Sequence, residues 1–145
     1  MSIIARGLML AAMAVISPAL AADPPRSLLD LPVAGSKLIE PAGYDAAAQL
    51  AARGGTPVDI ALAIAGRFEG QTQYIVQVNE GADSPRSVRL TIIRDGLLDD
   101  SMKSARWEIS LQRSTGANWG IVGARLSWRC WRGGLADQFS ANPCP

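Results

Sequence analysis

Between Gln71 and Trp131 the chain meets one constraint four times over: apolar and polar residues alternate with a period of two. "QYIVQV" sets Tyr74, Val76 and Val78 against Gln73, Ile75 and Gln77, and "SVRLTII" sets Val88, Leu90 and Ile92 against Arg89, Thr91 and Ile93. "ARWEISL" separates Ala105, Trp107, Ile109 and Leu111 from Arg106, Glu108 and Ser110. "IVGARLSWRCW" separates Val122, Ala124, Leu126, Trp128 and Cys130 from Ile121, Arg125, Ser127, Arg129 and Trp131. Successive side chains of a strand point to opposite faces, so each run presents one apolar face. The turn-rich stretches "NEGADSPR", "RDGLLDDSMK" and "STGAN" separate the runs, which predicts an antiparallel sheet covered on one side.

The cover has to come from the residues before the sheet. "YDAAAQLAARGG" is a short alanine-rich helix stopped by Gly54-Gly55. "TPVDIALAIAGRFEG" is ambiguous, because Val58, Ile60, Leu62 and Ile64 also alternate as in a strand. Thr56 as N-cap, Pro57 at the first helical position and Asp59 in the first turn favour a helix. The expected class is α+β, with one or two N-terminal helices packed on a four-stranded antiparallel sheet in a single domain over 44–145. Residues 22–43 hold Pro24, Pro25, Pro32, Pro41, Gly35 and Gly43 and read as an extended lead-in rather than a packed element.

Residues 1–21 carry a different pattern. Arg6 precedes the uncharged apolar run Leu8 to Ile16, and Ala19-Leu20-Ala21 fits a small-x-small cleavage site. This is the pattern of a secretory signal peptide, and its apolar run is too short to span a bilayer. The expected location is therefore the periplasm or the extracellular medium, with no membrane span in the rest of the chain. Cys130 and Cys144 are the only cysteines. An even pair in an oxidising compartment reads as a disulfide, and a redox pair or half a metal site lacks the C-x-x-C spacing here. The closed loop of about 15 residues implies roughly 3 kcal/mol of stabilisation through the unfolded state.

Formal charge narrows the partners. The chain has 14 Lys and Arg against 13 Asp and Glu, and losing Arg6 with the leader makes the remainder neutral. Phosphate neutralisation supplies most non-specific affinity for nucleic acid, so no nucleic-acid partner is expected. From Ser101 onward, however, Lys103, Arg106, Arg113, Arg125, Arg129 and Arg132 meet only Glu108 and Asp137, which makes the C-terminal half the basic one.

Histidine is absent, which removes Ser-His-Asp and Cys-His catalysis, histidine-ligated metals and the usual proton shuttle near neutral pH. Asp95, Asp99 and Asp100 form the densest carboxylate group, either an acid–base pair or a solvated loop, and the spacing of a calcium loop is not met. Glu69 and Asp59 flank the second helix, Lys103 reads as a charge partner, and no glycine run has phosphate-cradle spacing. Neither a metal nor a cofactor is implied. That leaves "RLSWRCWRGG". Alternation sends Trp128 and Cys130 to the core and Arg125, Arg129 and Trp131 to the opposite face, beside Arg89 and Arg106. Such a face offers bidentate donors and a stacking ring to an anionic or protein partner, or is a solvated surface with arginines paired to Glu108.

"DGLLDDSMKSARWEISLQR", then Trp119, "SWRC" and the terminal "NPCP", resembles a family of small exported bacterial proteins of unknown function. Members share a G-L-x-D-D-S loop, an aromatic–charged strand and a C-terminal cysteine pair. The likeness covers about 71–145 and implies a disulfide and an exported location, but no activity. Members often carry a G-R-G-H stretch between the cysteines, where this chain has "WRGGLADQFSANP" without the histidine. By analogy, helices ahead of an antiparallel sheet resemble the cystatin-like or nuclear-transport-factor-like cones, whose pocket would here be lined by Tyr74, Trp107, Trp128 and Ile60. The leading functional expectation is a non-enzymatic protein binding an envelope component or protein partner through Arg89, Arg125, Arg129 and Trp131. The alternatives are a carboxylate-dependent enzyme or a carrier of small apolar ligands in the helix–sheet pocket.

Overall fold

The computed structural model describes residues 27–81, 84–114, 116–134 and 136–145, so the signal peptide expected at 1–21 lies outside the described residues. Five strands form one antiparallel sheet: β1 (Lys37–Leu38), β2 (Thr72–Glu80), β3 (Ser87–Asp95), β4 (Met102–Arg113) and β5 (Trp119–Cys130). Their spatial order is β1-β5-β4-β3-β2. The class is thus α+β as expected, with five strands rather than four. The extra strand comes from the segment read as an unpacked lead-in. Between Pro32 and Pro41 the backbone keeps its donors, and Lys37 and Leu38 pair with Leu126 and Arg125. Ile39 N–H donates to Ala124 O at 2.9 Å, Ala34 N–H to Phe139 O at 2.8 Å and Phe139 N–H to Pro32 O at 2.8 Å, so this segment straps both β5 and the C-terminal tail.

Two helices, α1 (Asp45–Ala52) and α2 (Pro57–Ala65), lie on one face. Gly54, at φ +82°, takes the left-handed turn that stops α1, a conformation that costs a side-chain-bearing residue energy. The strand-or-helix ambiguity at Pro57 resolves to helix for the reason its first residues announce. The Thr56 hydroxyl accepts from Asp59 N–H at 3.2 Å and donates to the Asp59 carboxylate at 2.6 Å. The Asp59 amide is therefore satisfied, and the Asp59 carboxylate holds the capping hydroxyl in place. Ile60 and Ile64, four apart, are buried with Ala61 and Ala65, which is the helical period. They meet Val88, Leu90 and Ile92 of β3 and Ile109 and Leu111 of β4, while Ala47 and Ala51 let α1 approach closely. Each fully buried isoleucine or leucine in this layer contributes roughly 1.5–3 kcal/mol.

Alternation sorts Val88–Ile92 of β3 and Ala105–Leu111 of β4 as expected, and the sheet departs from the expected faces in three places. On β2, Tyr74, Val76 and Val78 pair with Ile93, Thr91 and Arg89, which puts them on the outer face, away from the helices. Tyr74 therefore lines no helix–sheet pocket. On β5, Ser110 pairs with Gly123 and Leu111 with Ile121, so Val122 is an extra, bulged residue. A bulge reverses side-chain phase, and so Trp119 and Ile121 enter the core while Val122 is 64% exposed. A second irregularity extrudes Lys103, because Met102 pairs with Cys130 and Ser104 with Arg129.

The outer face carries a small second layer. Phe139 is fully buried there, with the guanidinium carbons of Arg106 and Arg129 at 5.7 and 5.9 Å from its ring centre. The tail that delivers Phe139 is held to β5 by reciprocal backbone bonds between Trp128 and Ser140, each 2.9 Å, and by the Cys130–Cys144 disulfide.

Candidate functional site

The helices are too short for the sheet they cover. At 1.5 Å per residue α1 and α2 are each about 12–14 Å long, whereas the twelve-residue strands β4 and β5 run about 40 Å. The core under the helices runs from Val88, Leu111 and Trp119 to Ile92, with Trp107 packed at its margin, and the groove beyond that margin is lined by no helix residue. Trp107, Leu126 and Trp128 floor this open groove of about 350 Å³. Leu97 from the β3–β4 connection and Met102 at the start of β4 form one wall, and Pro143 and Cys144 of the tail form the other.

Both tryptophans are fixed. Trp128 Nε1–H donates to Asn142 O at 2.5 Å, which satisfies its polar edge and leaves the ring as groove surface. Trp107 carries the Arg94 guanidinium over its ring at 5.0 Å. Arg94 is only 3% exposed. Its Nη atoms donate to Ala65 O and Gly66 O at 2.7 Å and to Arg67 O at 2.9 Å, and Nε donates to Gln73 Oε1 at 2.8 Å. Those carbonyls are the last of α2, its C-cap and the residue after it, so a cation here satisfies the helix's open end and meets the negative end of its dipole. Burial lowers the Arg94 pKa from its usual value, yet an arginine stays charged. A shallower polar cleft of about 300 Å³, reaching Arg67, Glu69 and Asp99, adjoins the groove through Leu97, Met102 and Trp107.

The "LLDDS" loop at the groove wall is built by Asp99. Its Oδ1 accepts from Met102 N–H at 2.6 Å, Ser101 N–H at 2.9 Å and the Ser101 hydroxyl at 2.9 Å. Bonds from those two backbone amides, then from the Ser101 hydroxyl, hold its carboxyl below the usual aspartate value. Asp95 accepts from the Ser104 hydroxyl and lies 3.7 Å from Arg129, and Asp59 caps α2. Of the carboxylates read as candidates, Glu69 and Asp99 reach the polar cleft, and Asp59, Asp95 and Asp100 do not.

The arginine face is assembled as the alternation required but is largely self-neutralised. Arg89 pairs with Glu80 at 3.3 Å, Arg106 with Glu108 at 3.1 Å and Arg129 with Asp95 at 3.7 Å. Arg129 is 5% exposed, so it is a buried member of the Phe139 layer rather than part of an accessible face. Arg125 is exposed and reaches the Ser36 hydroxyl at 3.4 Å. Trp131 lies beyond the end of β5 against the acidic loop, with Nε1–H donating to Asp99 O at 3.2 Å and Lys103 Nζ 5.0 Å from its ring centre.

Of the four residues predicted to line a pocket, the structure brings Trp107 and Trp128 to the groove. Ile60 sits in the core and Tyr74 on the outer face. No motif or spacing in the sequence marks Arg94, Leu97, Met102, Leu126 or Pro143 as a site residue. The mismatch between helix and strand lengths was the available signal for an uncovered apolar end. Among the described residues no helix is long and apolar enough to cross a membrane, and no group of three or more metal-ligating side chains converges. Compared with known proteins, the chain matches no family model, and no curated protein or solved structure is similar to it at a significant level. The class is set by the fold alone: a two-helix, five-stranded antiparallel α+β domain with a disulfide-tied tail.

Proposed function

We propose that this is an exported, non-enzymatic binding protein that holds the apolar part of a small ligand in the groove over Trp107, Leu126 and Trp128. The carrying observation is that this apolar surface is preformed and open: the tail that would close it is anchored to one side by the Cys130–Cys144 bond and the Trp128–Ser140 bridge. Ligand sites are concave, mostly apolar and of about 300–1,000 Å³, and this groove falls at the small end of that range. The disulfide is in keeping with an oxidising compartment. The likeness to exported proteins with a G-L-x-D-D-S loop supports the same location. Likeness to the cystatin-like and nuclear-transport-factor-like cones is one of arrangement, helices on a sheet beside a pocket.

The arginine face is the second seat, for an envelope component or a protein partner. Among the described residues Arg125 is the arginine of that face without a carboxylate partner. The groove is tested by titrating purified protein with a medium-chain fatty acid while following tryptophan fluorescence, with native mass spectrometry on protein taken from its own host. Saturable binding that Leu126→Glu weakens tenfold or more supports the groove. Binding unchanged in Leu126→Glu, or no binding and no co-purifying molecule, rejects it.

A further inference from the structure

The two edges of the sheet are treated differently. The outer edge of β5 is paired with β1 at Arg125 and Leu126 and with the tail at Trp128. β2 forms the opposite edge, nine residues in unbroken register with β3 from Thr72↔Asp95 to Glu80↔Ser87, with nothing described on its other side. Alternate residues of such a strand direct their N–H and C=O groups outward over about 30 Å. Natural edges are blunted by proline, lysine, bulges or brevity. β2 has no proline, no basic residue and no bulge, and its one charge, Glu80, is occupied by Arg89 and Ser87 at its far end. Tyr74, Ile75 and Val78 are instead large apolar residues 39–48% exposed.

The order of residues along β2 points to what covers it. Laid antiparallel on itself about Val76, the strand sets Tyr74 against Val78 of a second copy, Ile75 against Gln77, Gln73 against Asn79 and Thr72 against Glu80, with Val76 meeting Val76. No like charges meet, and aromatic–aliphatic and amide–amide pairs fall opposite one another, which is how cross-strand pairs stabilise a ladder. Because Tyr74, Val76 and Val78 share the outer face, the two copies join them into one apolar stripe across the axis. We propose that the protein is a two-fold dimer whose β2 strands pair antiparallel about Val76, making one continuous ten-stranded sheet. This rests on the edge alone and is independent of the groove.

Sedimentation velocity on residues 22–145 over a range of concentrations tests it. Wild type is expected to dimerise. Val76→Lys places two ammonium groups opposite each other on the axis and is expected to weaken dimerisation tenfold or more with the circular dichroism spectrum retained, since like charges directly opposed destabilise a ladder. Mixing Val76→Lys with Val76→Glu is expected to restore a mixed dimer. Val78→Lys, at a half-exposed position facing Tyr74 of the second copy, gives a second variant in case the axial one folds poorly. Wild type that is monomeric throughout, whether or not it takes up a strand from another protein, overturns the proposal. So does a dimer that neither lysine variant weakens.

Discussion

Replacing Arg94 with methionine keeps most of the side chain's length and removes its charge and every donor, so it isolates what the guanidinium holds together. Four short hydrogen bonds disappear, three of them to carbonyls ending α2, along with stacking on Phe68 at 5.6 Å and Trp107 at 5.0 Å. Hydrogen bonds to a charged group are worth about 1.5–3 kcal/mol each, and cation–π contacts about 0.5–2 kcal/mol. Their sum overstates the effect, because methionine also escapes the cost of keeping a guanidinium at 3% exposure. Breaking a buried polar constellation by removing one partner costs about 3–5 kcal/mol, a large share of the 5–15 kcal/mol available to a domain. With a slope near 2 kcal/mol per molar, the urea midpoint should fall by about 2 M. Arg94→Lys should fall roughly half as far, since an ammonium cannot reach all three carbonyls and Gln73 together. Arg125→Met is the control and should stay within about 0.5 kcal/mol of wild type, as exposed substitutions do. A loss below about 1 kcal/mol for Arg94→Met, with Arg125→Met unchanged, would refute the assignment of α2's C-terminal anchor to Arg94.

Reducing Cys130–Cys144, or replacing both cysteines with alanine, should cost about 3 kcal/mol in denaturant titration, from the entropy of a loop of about 15 residues. Amides at 140–145 should exchange faster as the groove's tail wall loosens, and identical midpoints with and without reductant would contradict this. Asp99 should titrate below the ~3.9 of a free aspartate in a carboxyl-detected NMR experiment. Its folded pKa is depressed, so its contribution is complete above the unfolded value and is lost as pH falls through the folded one. The Ser101 and Met102 amides should lose protection over that same interval, and a midpoint at or above the free value would count against the loop geometry.

Local chemistry was readable wherever one residue decides one feature. Thr56, Pro57 and Asp59 announce the start of α2, and Gly54 announces the end of α1. Alternation on β3 and β4 sorts Val88, Leu90, Ile92, Trp107, Ile109 and Leu111 to the helix side, where the structure has them. The Cys130–Cys144 bond followed from an even cysteine pair. Alternation misassigned Val122 because a bulge depends on which residue of β4 sits opposite, and that is not written in β5. It left the outward turn of Tyr74 unread because period two says which residues of β2 share a face and not which face the helices cover, and register with β3 alone decides that.

The candidate site divides along the same line. From the sequence come the tryptophans, the acidic loop, the cysteines and the arginines that share a strand face, because period two is a property of one strand by itself. Tertiary structure decides which of them remain available. It turns Arg129 inward against Asp95 and Phe139, keeps helix residues out of the groove over Trp107 and Trp128, and anchors the tail beside the groove rather than across it. These outcomes rest on contacts between residues tens of positions apart, such as Arg94 with Ala65 and Val33 with Phe139, whose energies exist only once the chain has closed.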